Sequence, residues 1–171
     1  MTAHPWVVMP TDVRSAEASA LLRDYFTEVA DRYERLHHGR GVTPEEIDSV
    51  LARWPSDDLA EPTGAFLLGR RRGEPRACAG LRVREPGTVE LTRVYVAPHL
   101  RGTGGGSALL AAVEQSARTL GAHRIVLDTR LDLVEARALY VRHGYRAIPA
   151  FSSGPFAQAW YGKDLAPHTG G

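Results

Sequence analysis

Val89-Glu90-Leu91-Thr92-Arg93-Val94-Tyr95-Val96-Ala97-Pro98-His99-Leu100-Arg101-Gly102-Thr103-Gly104-Gly105-Gly106-Ser107-Ala108-Leu109-Leu110 decides the fold. A strand-like run meets a turn at Pro98, passes through Arg-x-x-Gly-x-Gly and enters a helix without a spacer. Gly104 and Gly106 remove the Cβ atoms that would hold a bulky anion off the backbone, while the first helical amides are unpaired donors at the positive end of the dipole. A pyrophosphate fits such a cradle. Walker A is excluded, because Gly104 to Leu110 holds no Gly-Lys-Ser/Thr. The dinucleotide fingerprint is nearer, with Gly102 and Gly104 two apart and Asp128 closing the next strand. Its third glycine would fall on Ser107, however, and the hairpins upstream are not the start of a doubly wound parallel sheet. A helix start rich in glycine for structural reasons alone is the bland alternative.

Upstream, Ala65 to Leu68, Ala77 to Val83 and Thr88 to Val96 read as three strands joined by short turns around Gly73 and Pro86-Gly87, hence as antiparallel neighbours. Before them, Thr43-Pro44-Glu45-Glu46 is a capping box with proline at the first helical position, and Ile47, Val50, Leu51 and Trp54 form the expected buried stripe. Leu22, Tyr25, Phe26, Val29, Tyr33 and Leu36 recur at helical spacing from Thr11 or Asp12 up to Gly39. Trp6 to Met9 is an opening strand. Downstream come a helix over Leu110, Val113, Ala117 and Leu120, a strand at Arg124 to Asp128, and a helix from about Leu133 to His143. Extended segments follow near Tyr145 to Phe151 and Ala157 to Leu165, then a frayed tail from Ala166. The fold class is α/β with a mixed sheet: an antiparallel meander followed by a strand-helix-strand crossover.

The whole chain, 171 residues, fits one domain. Lys+Arg 21 against Asp+Glu 20 supplies no field for a nucleic acid or a membrane surface, so neither is expected as a partner. Cys78 is alone, which excludes a disulfide framework and points to a small core residue. With no basic flank and apolar core at the N-terminus and no long apolar run, a cytoplasmic location is expected.

Two blocks together resemble the GNAT superfamily of acyl-CoA-dependent N-acetyltransferases. One is Leu91 to Leu110; the other is Ala136-Arg137-Ala138-Leu139-Tyr140-Val141-Arg142-His143-Gly144-Tyr145, similar to the superfamily's Ala-x-x-x-Tyr-x-x-x-Gly-Phe/Tyr. The resemblance spans about Ala65 to Leu165. It implies a single acyltransferase domain, with residues 1–62 shaping an acceptor site, residues 63–165 binding acetyl-CoA and residues 166–171 a tail. It further implies a sheet splayed between its fourth and fifth strands, with the pantetheine arm in the opening.

The implied chemistry can be set against what the reaction needs. A primary amine with a pKa near ~10.4 is mostly protonated at neutral pH and must lose a proton before it attacks a thioester. Glu90 stands where several superfamily members place a carboxylate base, although an ordinary cross-strand charge pair explains it equally well. Tyr140 matches the tyrosine that protonates the departing thiolate, the alternative being a core tyrosine on the face it shares with Ala136, Leu139 and His143. The main-chain amide of Val94 is the implied donor to the acetyl oxygen. Backbone atoms of Val94, Tyr95 and Val96 are implied to meet the pantetheine arm. Arg101, Gly102, Thr103, Gly104, Gly105, Gly106 and the Ser107 hydroxyl fall to the pyrophosphate. Where many relatives carry Asn three residues before the alanine of the second block, this chain has Leu133; that hydrogen bond is missing, or Asp132 supplies it.

The expected reaction moves an acetyl group from acetyl-CoA to a primary amine of a small molecule, without a metal; a homodimer is possible. A protein lysine or N-terminus as acceptor, and a non-catalytic acyl-CoA-binding module, are the alternatives. His37, His38, Arg40 and Phe151 to Phe156 are expected around the acceptor. Arg93 and Arg130 are either carboxylate binders or solvated charges. Arg70-Arg71-Arg72 reads as a solvated hairpin tip, and His37-His38 lacks neighbours for a metal.

Overall fold

The computed structural model describes residues 5–167. The elements run β1 (Trp6–Pro10), α1 (Ala16–His38), α2 (Pro44–Arg53), β2 (Gly64–Arg71), β3 (Glu74–Glu85), β4 (Thr88–Val96), a 3₁₀ turn (Pro98–Leu100), α3 (Gly105–Thr119), β5 (Arg124–Thr129), α4 (Val134–Arg142), β6 (Arg146–Ala147) and β7 (Ala159–Asp164). One mixed sheet takes the order β1-β2-β3-β4-β5-β7-β6. Every neighbouring pair is antiparallel except β4–β5. The antiparallel meander followed by a crossover is therefore the observed topology.

Alternation along the strands divides the sheet into two faces. Leu67, Ala79, Leu81, Val89, Leu91, Ile125 and Leu127 join Leu109, Leu110 and Val113 of α3 and Tyr140 of α4 in one buried cluster. Phe66, Leu68, Cys78 and Tyr95 pack on the other face against Ala18, Leu21 and Leu22 of α1. Glu90 alternates with Val89 and Leu91, so it lies on the α1 face.

Two irregularities open the sheet. The parallel β4–β5 ladder covers only Thr88, Val89 and Glu90 opposite Arg124, Ile125 and Val126. Beyond Glu90 the strands diverge, and the edge of β4 from Leu91 to Val96 has no strand partner on that side among the described residues. In the same stretch Ala79 of β3 faces two residues of β4, Arg93 and Val94. Arg93 sits at φ 56°, a left-handed conformation that a long side chain adopts only when its surroundings fix it. Cys78 is one fixture, since its Sγ donates to the Arg93 carbonyl at 3.3 Å.

The element boundaries follow local chemistry. Ser15 caps α1, accepting from the Ala18 amide, so the helix starts later than the Thr11 or Asp12 that periodicity suggests. Thr43 caps α2 as its capping box requires. Only Ile47 of α2 is buried, and Trp54 becomes its exposed C-cap; a one-sided ten-residue helix on a partner helix needs a narrower stripe than Ile47, Val50, Leu51 and Trp54. Leu36 is likewise exposed at 62%, because α1 outruns the sheet. The extended segment expected from Tyr145 to Phe151 forms a ladder only at Arg146–Ala147. Residues 168–171 of the expected tail lie outside the described ones.

Candidate active site

The glycines of the Gly-rich turn serve different ends. Gly102 and Gly104 adopt φ of 77° and 93°, and a Cβ on either would meet nothing within 4 Å, so these positions face open space. Gly105 and Gly106 answer to packing: a Cβ on Gly105 would press on the Trp6 ring at 2.8 Å, and one on Gly106 would strike Leu139 of α4 at 2.8 Å. The absent side chain of Gly106 thus makes room for α4, correcting the expectation that it clears a path for an anion. The Trp6 indole donates to Thr103 Oγ1 at 3.2 Å, pinning the turn to β1. The first intrahelical bond of α3 is Ala108 to the Gly104 carbonyl, leaving the amides of Gly105, Gly106 and Ser107 without a helical acceptor. Ser107 Oγ lies 2.9 Å from His143 Nε2 at the end of α4, so the turn and both helices meet at one point. An open, donor-lined helix start of this kind fits a phosphate group.

Arg101 is already engaged. Its guanidinium donates to both carboxylate oxygens of Glu28 on α1 at 2.6 Å and to the Val96 carbonyl at 3.2 Å. One helical turn further along α1, Arg32 donates to Glu135 at 3.1 Å and to the Asp132 carbonyl at 2.7 Å, beyond β5. Helix α1 therefore ties together the two strand ends that the splay separates.

Tyr140 is 5% exposed, packed among Leu127, Tyr145 and Tyr161. Burial above all, with the nearby phenols of Tyr25 and Tyr145, pushes its hydroxyl well above the ordinary phenol pKa, which keeps it protonated. No group among the described residues hydrogen-bonds that hydroxyl, so its proton is free for a ligand. Tyr25 of α1 stands close by. Burial raises its pKa, while the charges of Arg93 and Arg130 oppose that rise and Asp128 adds to it.

Glu90 is held between two arginines, with Arg84 at 3.0 Å and Arg82 at 3.6 Å, both on Oε2. Oε1 is outside these contacts. Glu90 faces Val126 at the last rung of the β4–β5 ladder, so its carboxylate sits where the splay begins.

Arg93 and Arg130 are neither solvated nor free. All three guanidinium nitrogens of Arg93 have acceptors, Ser56, Thr92 and the Trp54 carbonyl, and the group stacks 4.8 Å over Phe26. Burial lowers its pKa. Arg130, 7% exposed, makes a bidentate pair with Asp132 at 2.8 Å and donates to the Val29 carbonyl at 2.7 Å. That pairing lowers the Asp132 pKa and engages both of its carboxylate oxygens. The buried Cys78 thiol is pushed up by burial and is chemically inert.

On the acceptor side, Tyr33 of α1 packs edge-on against Phe156 at 5.3 Å and against His37 at 4.3 Å, closing the loop between β6 and β7 onto the helix. His38 and Arg40 pair with Glu34 instead, and Arg70 with Glu17, so these basic groups are held by surface ion pairs. A loop contact that residue types alone do not reveal is Trp160 to Ser152 to Asp128: the indole donates to Ser152 Oγ at 2.9 Å, and Ser152 donates to Asp128 Oδ2 at 2.8 Å. Glu28, Arg32, Tyr25, Ser152 and Trp160 carry no motif. For Glu28 and Arg32 the only signal is their four-residue spacing on one helix face.

The architecture is that of an acyltransferase built on a splayed sheet. A profile of the Acetyltransferase (GNAT) family matches residues 20–145, and the chain belongs to that family. It is 34% identical over 130 residues to an IAA acetyltransferase of Azospirillum brasilense, covering 70% of this chain and 80% of that one. It is 34% identical over 113 residues to an aminoglycoside N(6')-acetyltransferase type 1 of Stenotrophomonas maltophilia, covering 56% of this chain and 74% of that one. Among solved structures, yncA of Salmonella typhimurium, determined with its cofactor acetyl-CoA, superposes with a TM-score of 0.59 at 21% identity, covering 96% of each chain. The protein is thus a GNAT-family acetyltransferase. Its described residues contain no group of three or more potential metal ligands and no helix long and apolar enough to cross a membrane.

Proposed function

We propose that the protein transfers an acetyl group from acetyl-CoA to a primary amine of a small molecule by direct attack, within a single domain. The observation that carries this reading is the end of the β4–β5 ladder at Glu90 and Val126, which leaves the β4 edge unpaired on the sheet whose core holds the partnerless Tyr140 hydroxyl. The Stenotrophomonas relative, by its name an N(6')-acetyltransferase of aminoglycosides, supports the choice of acceptor class.

Acetyl-CoA, when bound, supplies the activated acyl thioester. The amides of Gly102 to Gly106 and the Ser107 hydroxyl hold its pyrophosphate, the Arg101 amide already donating to the Pro98 carbonyl, and backbone atoms of Val94, Tyr95 and Val96 meet its pantetheine arm in the manner of an added strand. For the Val96 carbonyl this means sharing or displacing the Arg101 contact. Glu90 takes the amine's proton through its uncommitted Oε1, directly or by way of a water, while its arginines keep the other oxygen anchored. The Val94 amide donates to the acyl oxygen as negative charge gathers there. Tyr140 passes a proton to the departing sulfur as the thiolate forms, its burial keeping the phenol protonated until then.

Thiol release from acetyl-CoA in the presence of an amine library, read with a thiol-reactive dye, tests the proposal. Tyr140→Phe is expected to lower turnover by roughly 10²-fold with the melting temperature preserved. Tight acetyl-CoA binding without thiol release for any amine would leave a binding module in place of an enzyme.

A further inference from the structure

We infer that Asp128 is the anchor for the acceptor's ammonium group, and that the acceptor is a cationic amine without a carboxylate beside that amine. The inference rests on the acyl-transfer reading and extends it to substrate class. Asp128 faces Trp160 across the β5–β7 ladder and is two residues beyond Val126, the partner of Glu90. It therefore lies on the α1 face, about 7 Å further along β5 than the point where the two strands part. Leu127 and Tyr161, the neighbouring pair, point to the opposite face and into the core.

The electrostatic surroundings separate Asp128 from the acidic residues around it. Glu90, Glu28, Asp132, Glu135 and Asp58 are each paired with an arginine. Asp128 is half-buried and has no cationic partner among the described residues; the polar contact it does have is the Ser152 hydroxyl on Oδ2. A carboxylate that no arginine or lysine holds keeps its ion-pairing capacity for a ligand that brings a positive charge. The wall suits such a ligand as well. Trp160 lies across the ladder from Asp128, and the Tyr33–Phe156 pair closes the loop that carries Ser152, so aromatic side chains flank the carboxylate's strand and its hydrogen-bonded loop.

The same inventory argues against an α-amino acid as acceptor. Arg93 and Arg130, which could receive its carboxylate, are held by protein acceptors through every guanidinium nitrogen, and Arg82 and Arg84, also on this face, are held by Glu90. A diamine or an amino sugar needs no such receptor.

The test measures binding on the coenzyme A-loaded protein, so that it does not depend on turnover. The indole N–H resonance of Trp160, assigned with Trp160→Phe, is followed during titration with 1,5-diaminopentane and with its neutral counterpart 1,5-pentanediol. A saturable shift with the diamine and none with the diol is expected. Asp128→Asn, which keeps an oxygen for Ser152, is expected to weaken diamine binding by at least about tenfold with coenzyme A affinity unchanged. Ser152→Ala keeps the charge and loses the clamp; it is expected to weaken the diamine less than about threefold. If Asp128 served only to hold the loop, Ser152→Ala would reproduce Asp128→Asn, and that result overturns the inference. So does an equal response to diamine and diol, or no saturable response to the diamine. Charge-dependent diamine binding without thiol release from acetyl-CoA would uphold Asp128 and count against the acyl-transfer reading instead.

Discussion

Gly104 shows how much one residue decides here. It is the N-cap of α3 at φ 93°, with open space where a side chain would project and the unpaired amides of the helix directly behind it. Any L residue is strained at that φ, so a loss of function after substitution would mix strain with chemistry. Comparing Gly104→Asp with Gly104→Asn separates the two, because both side chains tolerate left-handed backbone to a similar degree and only one brings a negative charge to the anion's place. Acetyl-CoA affinity, measured by calorimetry, is expected to fall at least about hundredfold for Asp and less than about tenfold for Asn. Equal losses would show that strain alone is at work and would remove the pyrophosphate from this turn. The residue types of the turn are enough to raise the expectation of an anion cradle. They do not distinguish glycines needed for φ, such as Gly104, from those needed for packing, such as Gly106 against Leu139, because that distinction depends on a partner helix more than thirty residues away.

Among the elements, α1 joins the two halves of the sheet through ion pairs. Glu28 holds Arg101 on the β4 side, and Arg32, one turn later, holds Asp132 and Glu135 on the β5 side. Glu28 is consequently a competitor of any phosphate for Arg101. Since the pair is about one-quarter to one-third exposed, it adds little to stability, on the order of 1 kcal/mol or less. Glu28→Gln is expected to tighten acetyl-CoA binding about three- to tenfold with an unchanged melting temperature; weaker binding would mean that Glu28 instead orients Arg101 for the ligand. The helix itself was legible from Leu22, Phe26 and Val29, as were the capping box at Thr43, the meander, and the crossover after Pro98, because each is written in local periodicity or turn chemistry. The splay was implied by family resemblance alone: the ladder's end at Glu90 follows from the Arg93 bulge and from diverging strands, and neither leaves a mark in residue order. Arg93 and Arg130 were ambiguous for a related reason, since their acceptors, Ser56, the Trp54 carbonyl and the Val29 carbonyl, lie 37, 39 and 101 residues away.

For the whole molecule, a net charge of +1 conceals a dense set of arginine–carboxylate pairs, and these fix how stability responds to acid. Asp132 beside Arg130, Asp58 beside Arg82 and Glu135, through its own backbone amide and Arg32, all have pKa values below the ordinary carboxylate range. A depressed folded-state pKa means that the unfolded chain binds its proton first. The stabilisation is therefore complete above the unfolded values of about 4 and drains away as pH falls from there through the lower folded values. Asp24, raised by burial, works in the opposite direction, but it is one group against several. Thermal unfolding is thus expected to be nearly flat from pH 8 to 5 and to drop steeply below about pH 4. Asp132→Asn isolates the pair at the junction of α1, β5 and α4. Removing the charge leaves Arg130, 7% exposed, without its counter-ion, so stability at neutral pH is expected to fall by roughly 3 kcal/mol. Having lost that coupling already, the variant is also expected to lose less on acidification than the parent does, and its unfolding curves should approach the parent's near pH 3. Parallel curves for the two proteins across the whole range would show that Asp132 and Arg130 act as a hydrogen-bonded joint whose charge contributes nothing.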